Sequence, residues 1–461
     1  MAKRKKKSVK DVQPLEIMDQ INHSAAGLDI GAAEIYACVP GDRDKQPVRV
    51  FPTFTVDLYA LADWLESCGI DTVAMESTGV FWIPIYEILE ARGFDVYLVN
   101  ARHLKNVPGR KTDVLDCQWI QQLHTYGLLR SSFRPPEKIC AMRALAHQRN
   151  NLIRYRSAHI QHMQKALELM NIKLTQVISD ITGVTGMSII RAIVDGERDP
   201  KVLASFRNSK CAKSEEEIAK ALQGNYKAEH LFVLKQSLDQ YDFYFRQIQE
   251  CDMELEAMYA DYPPAEPDDK VGSPPKPRRG KPRKNQAHFD LATSLYQMLG
   301  VDLTAIDGLD ALSIQDIITV TGVDMSPWPT VKHFCSWLCL SPFNDKSGGK
   351  VLRSGSKKTQ NQATQAFRLA AQSLSRSDSA LGAFYRRMRA KHGPGKANKA
   401  TAHKLARIVY HMLKNRTAYV DPGQDYYEEQ YQERTLRNLK RKAAKLGMEL
   451  VPKTVPAQVV S

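Results

Sequence analysis

Two aspartates three residues apart, Asp113 and Asp116, lie in the stretch Gly109-Arg110-Lys111-Thr112-Asp113-Val114-Leu115-Asp116, which reads as the start of a helix. On a helix that spacing puts both carboxylates on one face with β-carbons about 5–6 Å apart, close enough to share a cation or a proton. The same residues also have a purely structural reading. Thr112 or Asp113 caps the helix, and Asp116 is a first-turn acid favoured by the helix dipole. What separates the two readings is whether further carboxylates reach the pair. Asp29 and Glu76, each near the end of an apolar strand-like run, are placed to do so. Four converging carboxylates repel one another and take up protons unless a cation neutralises them, and an all-oxygen donor set suits Mg2+.

The elements that would bring these acids together are legible as alternating patterns. Ala25–Ile30 and Glu34–Val39 flank Gly31-Ala32-Ala33 as a hairpin, and Val48–Phe51 follows as a third strand. Leu58–Cys68 and Trp82–Arg92 have helical apolar spacing, and between and after them Thr72–Met75 and Val96–Val99 are short buried strands. The order β-β-β-α-β-α-β-α predicts an α/β sheet, its antiparallel hairpin extended by parallel strands. In such sheets ligands gather at the carboxyl ends of the strands, where Asp29 and Glu76 fall. A basic loop, Arg102-His103-Leu104-Lys105-Asn106, then returns the chain so that the helix opening at Asp113 swings over the same edge.

Leu28-Asp29-Ile30-Gly31, Met75-Glu76-Ser77-Thr78-Gly79 and Lys111-Thr112-Asp113-Val114-Leu115-Asp116 resemble the three acidic blocks of the DEDD transposases. These are insertion-sequence recombinases related to the pilin-gene invertase, and their first domain has the RNase H-like fold of the resolvase RuvC. The resemblance implies that Asp29, Glu76, Asp113 and Asp116 are catalytic metal ligands. Further on, Trp337-Leu338-Cys339-Leu340-Ser341-Pro342 leads into Asn344-Asp345-Lys346-Ser347-Gly348-Gly349-Lys350, similar to the family's second signature. That implies Ser347 as the nucleophile. Ser356-Lys357 fits the family's Ser-Lys element, although the glycine usual after the basic residues is absent. The resemblance covers about residues 25–135 and 300–420, and it further implies a non-coding guide (bridge) RNA, encoded by the element, that pairs with donor and target DNA.

Outside these blocks the chain divides by composition. Residues 1–20 form a basic tail without the apolar run of a signal peptide, and 21–138 the RuvC-like domain. Residues 139–261 are a helical, coiled-coil-like segment with Leu152, Ile153, Ile160, Met163, Leu167 and Met170 at heptad-like spacing. Within it, Ile181-Thr182-Gly183-Val184-Thr185-Gly186 reads either as a phosphate-holding helix-hairpin-helix turn or as an ordinary glycine turn. Residues 262–288 are a proline-rich and basic linker or insertion, 289–420 a mainly helical transposase domain containing a flexible serine loop, and 421–461 a charged helical tail. The 461 residues carry a net charge of +14, which favours polyanionic partners. Eight cysteines without a C-x-x-C pair read as reduced thiols, and no apolar run reaches membrane-spanning length, so a cytoplasmic, nucleoid-associated protein is expected.

The function expected is therefore a transposase that cuts and rejoins DNA through Ser347 with the carboxylate-bound metal assisting. Recombination engages two duplexes, so a homo-oligomer, dimer or tetramer, is expected. Two other readings remain open: a metal-dependent RuvC-like endonuclease in which the four acids activate water, and a nucleic-acid-organising protein whose acids are caps and surface charges.

Overall fold

The computed structural model of the chain describes residues 19–77, 79–100, 113–266, 274–275, 284–355, 359 and 361–451; the side chains of 113–115, 345–346 and 353–354 also lie outside the description. The basic tail up to residue 18, the basic loop Arg102–Asn106, most of the proline-rich segment and Ser356-Lys357 fall outside the described residues. The chain forms two compact units that divide between Arg134 and Pro135, four residues before the boundary expected from composition.

The first unit is a five-stranded sheet with helices on its faces. Its strands are β1 (Ala25–Ile30), β2 (Glu34–Cys38) and β3 (Val48–Pro52), then β4 (Thr72–Glu76) after helix α1 (Thr55–Ser67), and β5 (Asp95–Val99) after α2 (Trp82–Ala91). A further helix, α3 (Asp113–Thr125), completes it. The strand order is β3-β2-β1-β4-β5, with β1, β4 and β5 parallel and the β1-β2-β3 meander antiparallel. This is the mixed sheet that the alternating patterns predict.

Strand residues alternate between two faces. Leu28, Ile30, Val73, Met75, Ile35 and Ala37 point to one side, where they bury against Leu61, Leu65, Ile85 and Leu89 of α1 and α2. Ala74 and Val99 point to the other, against Ile120 and Leu123 of α3. By the same alternation Gly27, Asp29 and Glu76 belong to the α3 face.

The second unit is almost wholly helical. Its spine is an antiparallel pair of 33-residue helices, α4 (Glu137–Leu169) and α9 (Ala228–Ala260). Between them run α5 (Leu174–Val177), α6 (Val184–Val194), α7 (Pro200–Ser205) and α8 (Glu215–Ala221), and the two sets enclose a core that includes Met163, Leu167, Ile189, Ile193, Leu234 and Leu238. Of the heptad-like residues read from the sequence, Met163, Leu167 and Met170 are buried in this core and Ile160 packs against it.

An ion pair is buried in the spine. Arg149, 1% exposed, donates from Nε to Asp252 at 2.5 Å and from Nη2 to the carbonyls of Asn285 and Gln286 at 3.1 Å. Asp252 also accepts from the backbone N–H of His288 at 3.2 Å. The end of the proline-rich segment, expected to be a linker or insertion, is bonded to the spine at residues 285, 286 and 288. A buried ion pair needs further hydrogen bonds to offset its desolvation, and the chain at 285–288 supplies several of them, while Arg149 Nη1 is left without a hydrogen-bond partner among the described residues.

The carboxyl-terminal helices are α10 (Leu291–Leu299), α11 (Ala311–Thr321), α12 (Val331–Trp337), α13 (Gln362–Ser373), α14 (Ala380–His392), α15 (Pro394–Asn415) and α16 (Gly423–Lys445). Several open on a side-chain cap: Asp310 Oδ1 accepts from the Ser313 N–H at 2.9 Å and Ser379 Oγ from that of Gly382 at 3.1 Å. Asp316 of α11 accepts from Asn150 of α4 at 3.2 Å and from Gln362 of α13 at 2.7 Å, so the spine and the carboxyl-terminal helices form one unit rather than separate modules.

Between α12 and α13 the chain makes a hairpin of β6 (Phe343–Ser347) and β7 (Lys350–Gly355). The expectation of an irregular loop is corrected here. Gly348 and Gly349 have φ of +54° and +76°, the left-handed pair that a two-residue hairpin turn requires. None of the described helices is long and apolar enough to cross a membrane.

Candidate active site

β1 and β4 run parallel in the register Ala25↔Thr72 through Leu28↔Met75, so the next residues, Asp29 and Glu76, come level at the carboxyl ends of adjacent strands. Parallel neighbours lie about 4.8 Å apart and in-register residues face the same way. Both side chains are half-buried. Two carboxylates are thereby placed side by side by the sheet alone.

The third and fourth acids ride on α3, and the seat of that helix is Gly27. A β-carbon there would stand 2.4 Å from the carbonyl oxygen of Cys117 and 2.3 Å from the amide nitrogen of Gln121, so the helix backbone rests directly on the strand. The direction of α3 follows from its other end. His124 Nε2 meets Thr72 Oγ1 at 2.8 Å, and the carbonyl of Thr125 accepts from the N–H groups of Ile21 and Asn22 at 2.9 Å. The carboxyl end of α3 thus lies at the start of β1 and β4, and its amino end at their finish.

From Gly27 to Asp29 the strand advances about 6.6 Å, which a helix covers in about four residues. Counted back from the Cys117–Gln121 contact, that reaches the turn carrying Asp113 and Asp116. Asp116 is half-buried; Asp113 opens the helix, and its side chain lies outside the description.

Charge and burial act on the neighbouring groups. The Cys117 thiol is pushed above the usual thiol range by its hydrogen bond with Cys38, by burial, and further by the negative charge of Asp29. At the opposite end of α3, burial holds His124 down to about 4, with Asp71 opposing. The Thr72 hydroxyl donates to the Asp95 carbonyl at 3.0 Å, so it accepts from His124, which assigns the neutral tautomer protonated on Nε2. His124 Nδ1 is buried and has no hydrogen-bond partner among the described residues.

Among the described residues no three His, Cys, Asp or Glu side chains are grouped closely enough to hold a metal ion. A metal-binding set here needs the Asp113 carboxylate as well. The donor chemistry suits a hard divalent cation: carboxylate oxygens only, at a sheet edge, facing a helix amino terminus.

Ser347 is the last residue of β6, paired with Lys350 across the two-glycine turn, and it is exposed at the hairpin tip. It belongs to the second unit, whereas Asp29, Glu76, Asp113 and Asp116 belong to the first. Behind the hairpin, Gln362 ties the start of α13 to Asp316, whose carboxyl is pushed up to about 6 by burial.

Sequence patterns left Gly27, Thr72 and His124 unassigned. Glycine inside the apolar run Ala25-Ala26-Gly27-Leu28 was the available sign of a close backbone approach. Thr72 and His124 carry no local sign, because they meet across 52 residues.

Two family models match the chain. One for the DEDD transposases of the IS110 type, described as a transposase, spans residues 26–172, from β1 to the turn after α4. The other, the transposase IS116/IS110/IS902 family, spans residues 302–386, which includes the Ser347 hairpin. No individual curated protein matches the chain.

Proposed function

We propose that this chain, which carries both transposase domains of the IS110 family, is an RNA-guided recombinase of a mobile insertion sequence that exchanges DNA strands through Ser347 and an RNase H-like carboxylate site. The observation that carries the reading is the level pairing of Asp29 with Glu76 at the sheet edge, under the turn that bears Asp113 and Asp116.

Asp29, Glu76, Asp113 and Asp116 would hold Mg2+. When bound, the cation lowers the proton affinity of an attacking hydroxyl and stabilises the charge that grows on the leaving oxygen. The chain's own residues do the rest. The sheet sets Asp29 and Glu76 level with each other, and α3, seated on Gly27, carries the other pair. The hairpin tip presents the Ser347 hydroxyl to a phosphodiester. Its oxygen bonds to phosphorus and gives up its proton; the bond to a deoxyribose oxygen breaks, and that oxygen takes a proton. One phosphate ester replaces another, so attack by a different strand end reverses the step without an outside energy source.

No compact base-reading module stands out among the described helices, which supports assigning sequence choice to pairing by a non-coding guide RNA rather than to side chains. Two duplexes must be held at once, which supports a dimer or tetramer. A second reading, a RuvC-like endonuclease using water, is favoured by one observation: Ser347 and the acids lie in different compact units.

The test is strand cleavage by purified protein with Mg2+. Asp29→Asn, Glu76→Gln, Asp113→Asn and Asp116→Asn should each lower cleavage at least 100-fold, about 2.7 kcal/mol of transition-state stabilisation, while circular dichroism stays unchanged. Near-wild-type cleavage by two of them would remove the carboxylate assignment.

A further inference from the structure

Helix α15 has no Asp or Glu in its 22 residues. Ala397, Thr401, Leu405 and Val409 bury one face. Lys396, Lys399, His403 and Arg407, spaced three to four apart, fall on the other, with Lys404 at its margin. Among the described residues none of Lys396, Lys399, Lys404 and Arg407 lies within ion-pairing distance of a carboxylate.

Neighbouring helices add further cations. Arg368 of α13 stands near enough to Lys399, and Arg407 and Arg434 near enough to Lys404, for their charges to press those ammonium groups down, burial being the larger cause in each case. Arg407 acts likewise on His403, again after burial. Aromatic rings hold α16 in place: Lys404 lies 4.5 Å from the Phe384 ring and 5.3 Å from the Tyr427 ring, and Arg387 pairs with Glu428 at 2.6 Å. From Arg434 onward α16 has Arg434, Arg437, Lys440, Arg441, Lys442 and Lys445, with no acid before Glu449, and no residue of α16 is buried. Arg434, Arg437, Arg441 and Lys445 form one stripe, opposite Leu436, Leu439 and Leu446.

An ordinary solvated basic face mixes its charges with acids and leaves the side chains free. Here Lys399 and Lys404 are partly buried and pressed by the charges of the exposed Arg368, Arg407 and Arg434, an arrangement that costs stability until an extended anion neutralises it. We propose that the face made by Arg368, Lys399, His403, Lys404, Arg407 and Arg434, continued along the basic stripe of α16, is a track for a nucleic-acid phosphate backbone. The inference rests on the reading of the chain as a DNA-processing enzyme and locates where the second unit holds its polymer. Residues 387–451 lie outside both family matches.

The experiment is salt-dependent binding of the full-length protein to a labelled random-sequence DNA duplex, a labelled single-stranded RNA and polyglutamate. Each phosphate contact contributes about 0.9 to the slope of log affinity against log salt for duplex DNA, and about 0.7 for a single strand. Lys399→Gln/Arg407→Gln/Arg434→Gln should therefore flatten the slope by about 2.7 for the duplex, or about 2.1 for RNA, according to which polymer the track holds. Lys201→Gln/Lys220→Gln/Lys235→Gln, with the same charge loss at exposed sites elsewhere in the unit, should leave the slope in place. The charge-preserving set Lys399→Arg/Arg407→Lys/Arg434→Lys should also bind as wild type, which separates lost charge from misfolding. Equal flattening by both neutralised triples, an unchanged slope in the first, or polyglutamate bound as well as nucleic acid would each overturn the track. Wild-type protein that binds neither DNA nor RNA would instead overturn the functional reading on which it rests.

Discussion

The carbonyl oxygen of Cys117 stands 2.4 Å from where a β-carbon of Gly27 would be, so the helix that carries Asp113 and Asp116 lies backbone-on-backbone against the strand that carries Asp29. No shift of a flexible side chain relieves that approach, because the opposing atoms are helix backbone. Gly27→Ala is expected to push α3 off β1, destabilising the first unit by about 1–3 kcal/mol, the usual range for overpacking. Cleavage should fall more than tenfold, since the two acid pairs are displaced relative to each other. Urea denaturation and a cleavage assay on the same preparation check it; native stability with native activity would show that α3 is not seated there.

A second expectation concerns pH. His124 is held at about 4 in the folded protein by burial, against about 6.5 when unfolded. Between those values the unfolded chain binds more protons, so this group's contribution is fully present above about pH 6.5 and is lost as pH falls toward 4. Stability measured from pH 7 to pH 5 should drop, and His124→Gln should flatten that dependence by removing the titrating ring. An identical pH slope in the variant would contradict the assignment of His124 as a buried neutral anchor of α3.

How much of this was readable beforehand differs by element. The strands of the first unit and the positions of Asp29 and Glu76 at their ends follow from local alternation, which a buried sheet imposes on every strand. The seat at Gly27 was visible only as a glycine in an apolar run, with nothing to say what approached it. Arg149 and Asp252 are 103 residues apart, and their pairing depends on how α4 and α9 align. The Ser347 segment was expected to be a loop because its Ser, Gly and Lys content is loop-like; the two positive-φ glycines make it a hairpin.

The third expectation is about assembly. Ser347 and the four acids belong to different compact units of the chain, and a strand-exchange reaction needs several active centres together. If the acids of one protomer serve Ser347 of another, Ser347→Ala and Asp113→Asn proteins, each inactive alone, should regain cleavage when mixed, at a fraction set by the share of intact composite sites. Size-exclusion chromatography with light scattering should show a dimer or larger species. Complete inactivity of the mixture, with mixed oligomers shown to form, would confine each site to one chain.

The serine step is tested most directly by isolating the protein–DNA linkage itself. Cleavage of a nicked duplex, which cannot be rejoined, should trap the protein on the DNA; nuclease trimming, proteolysis and mass spectrometry should then place the nucleotide remnant on the peptide containing Ser347. The linkage should vanish in Ser347→Ala and persist in Ser354→Ala. A remnant on another residue, or cleaved DNA with free ends and no linked protein, would contradict the account and leave the carboxylates working as a water-using nuclease.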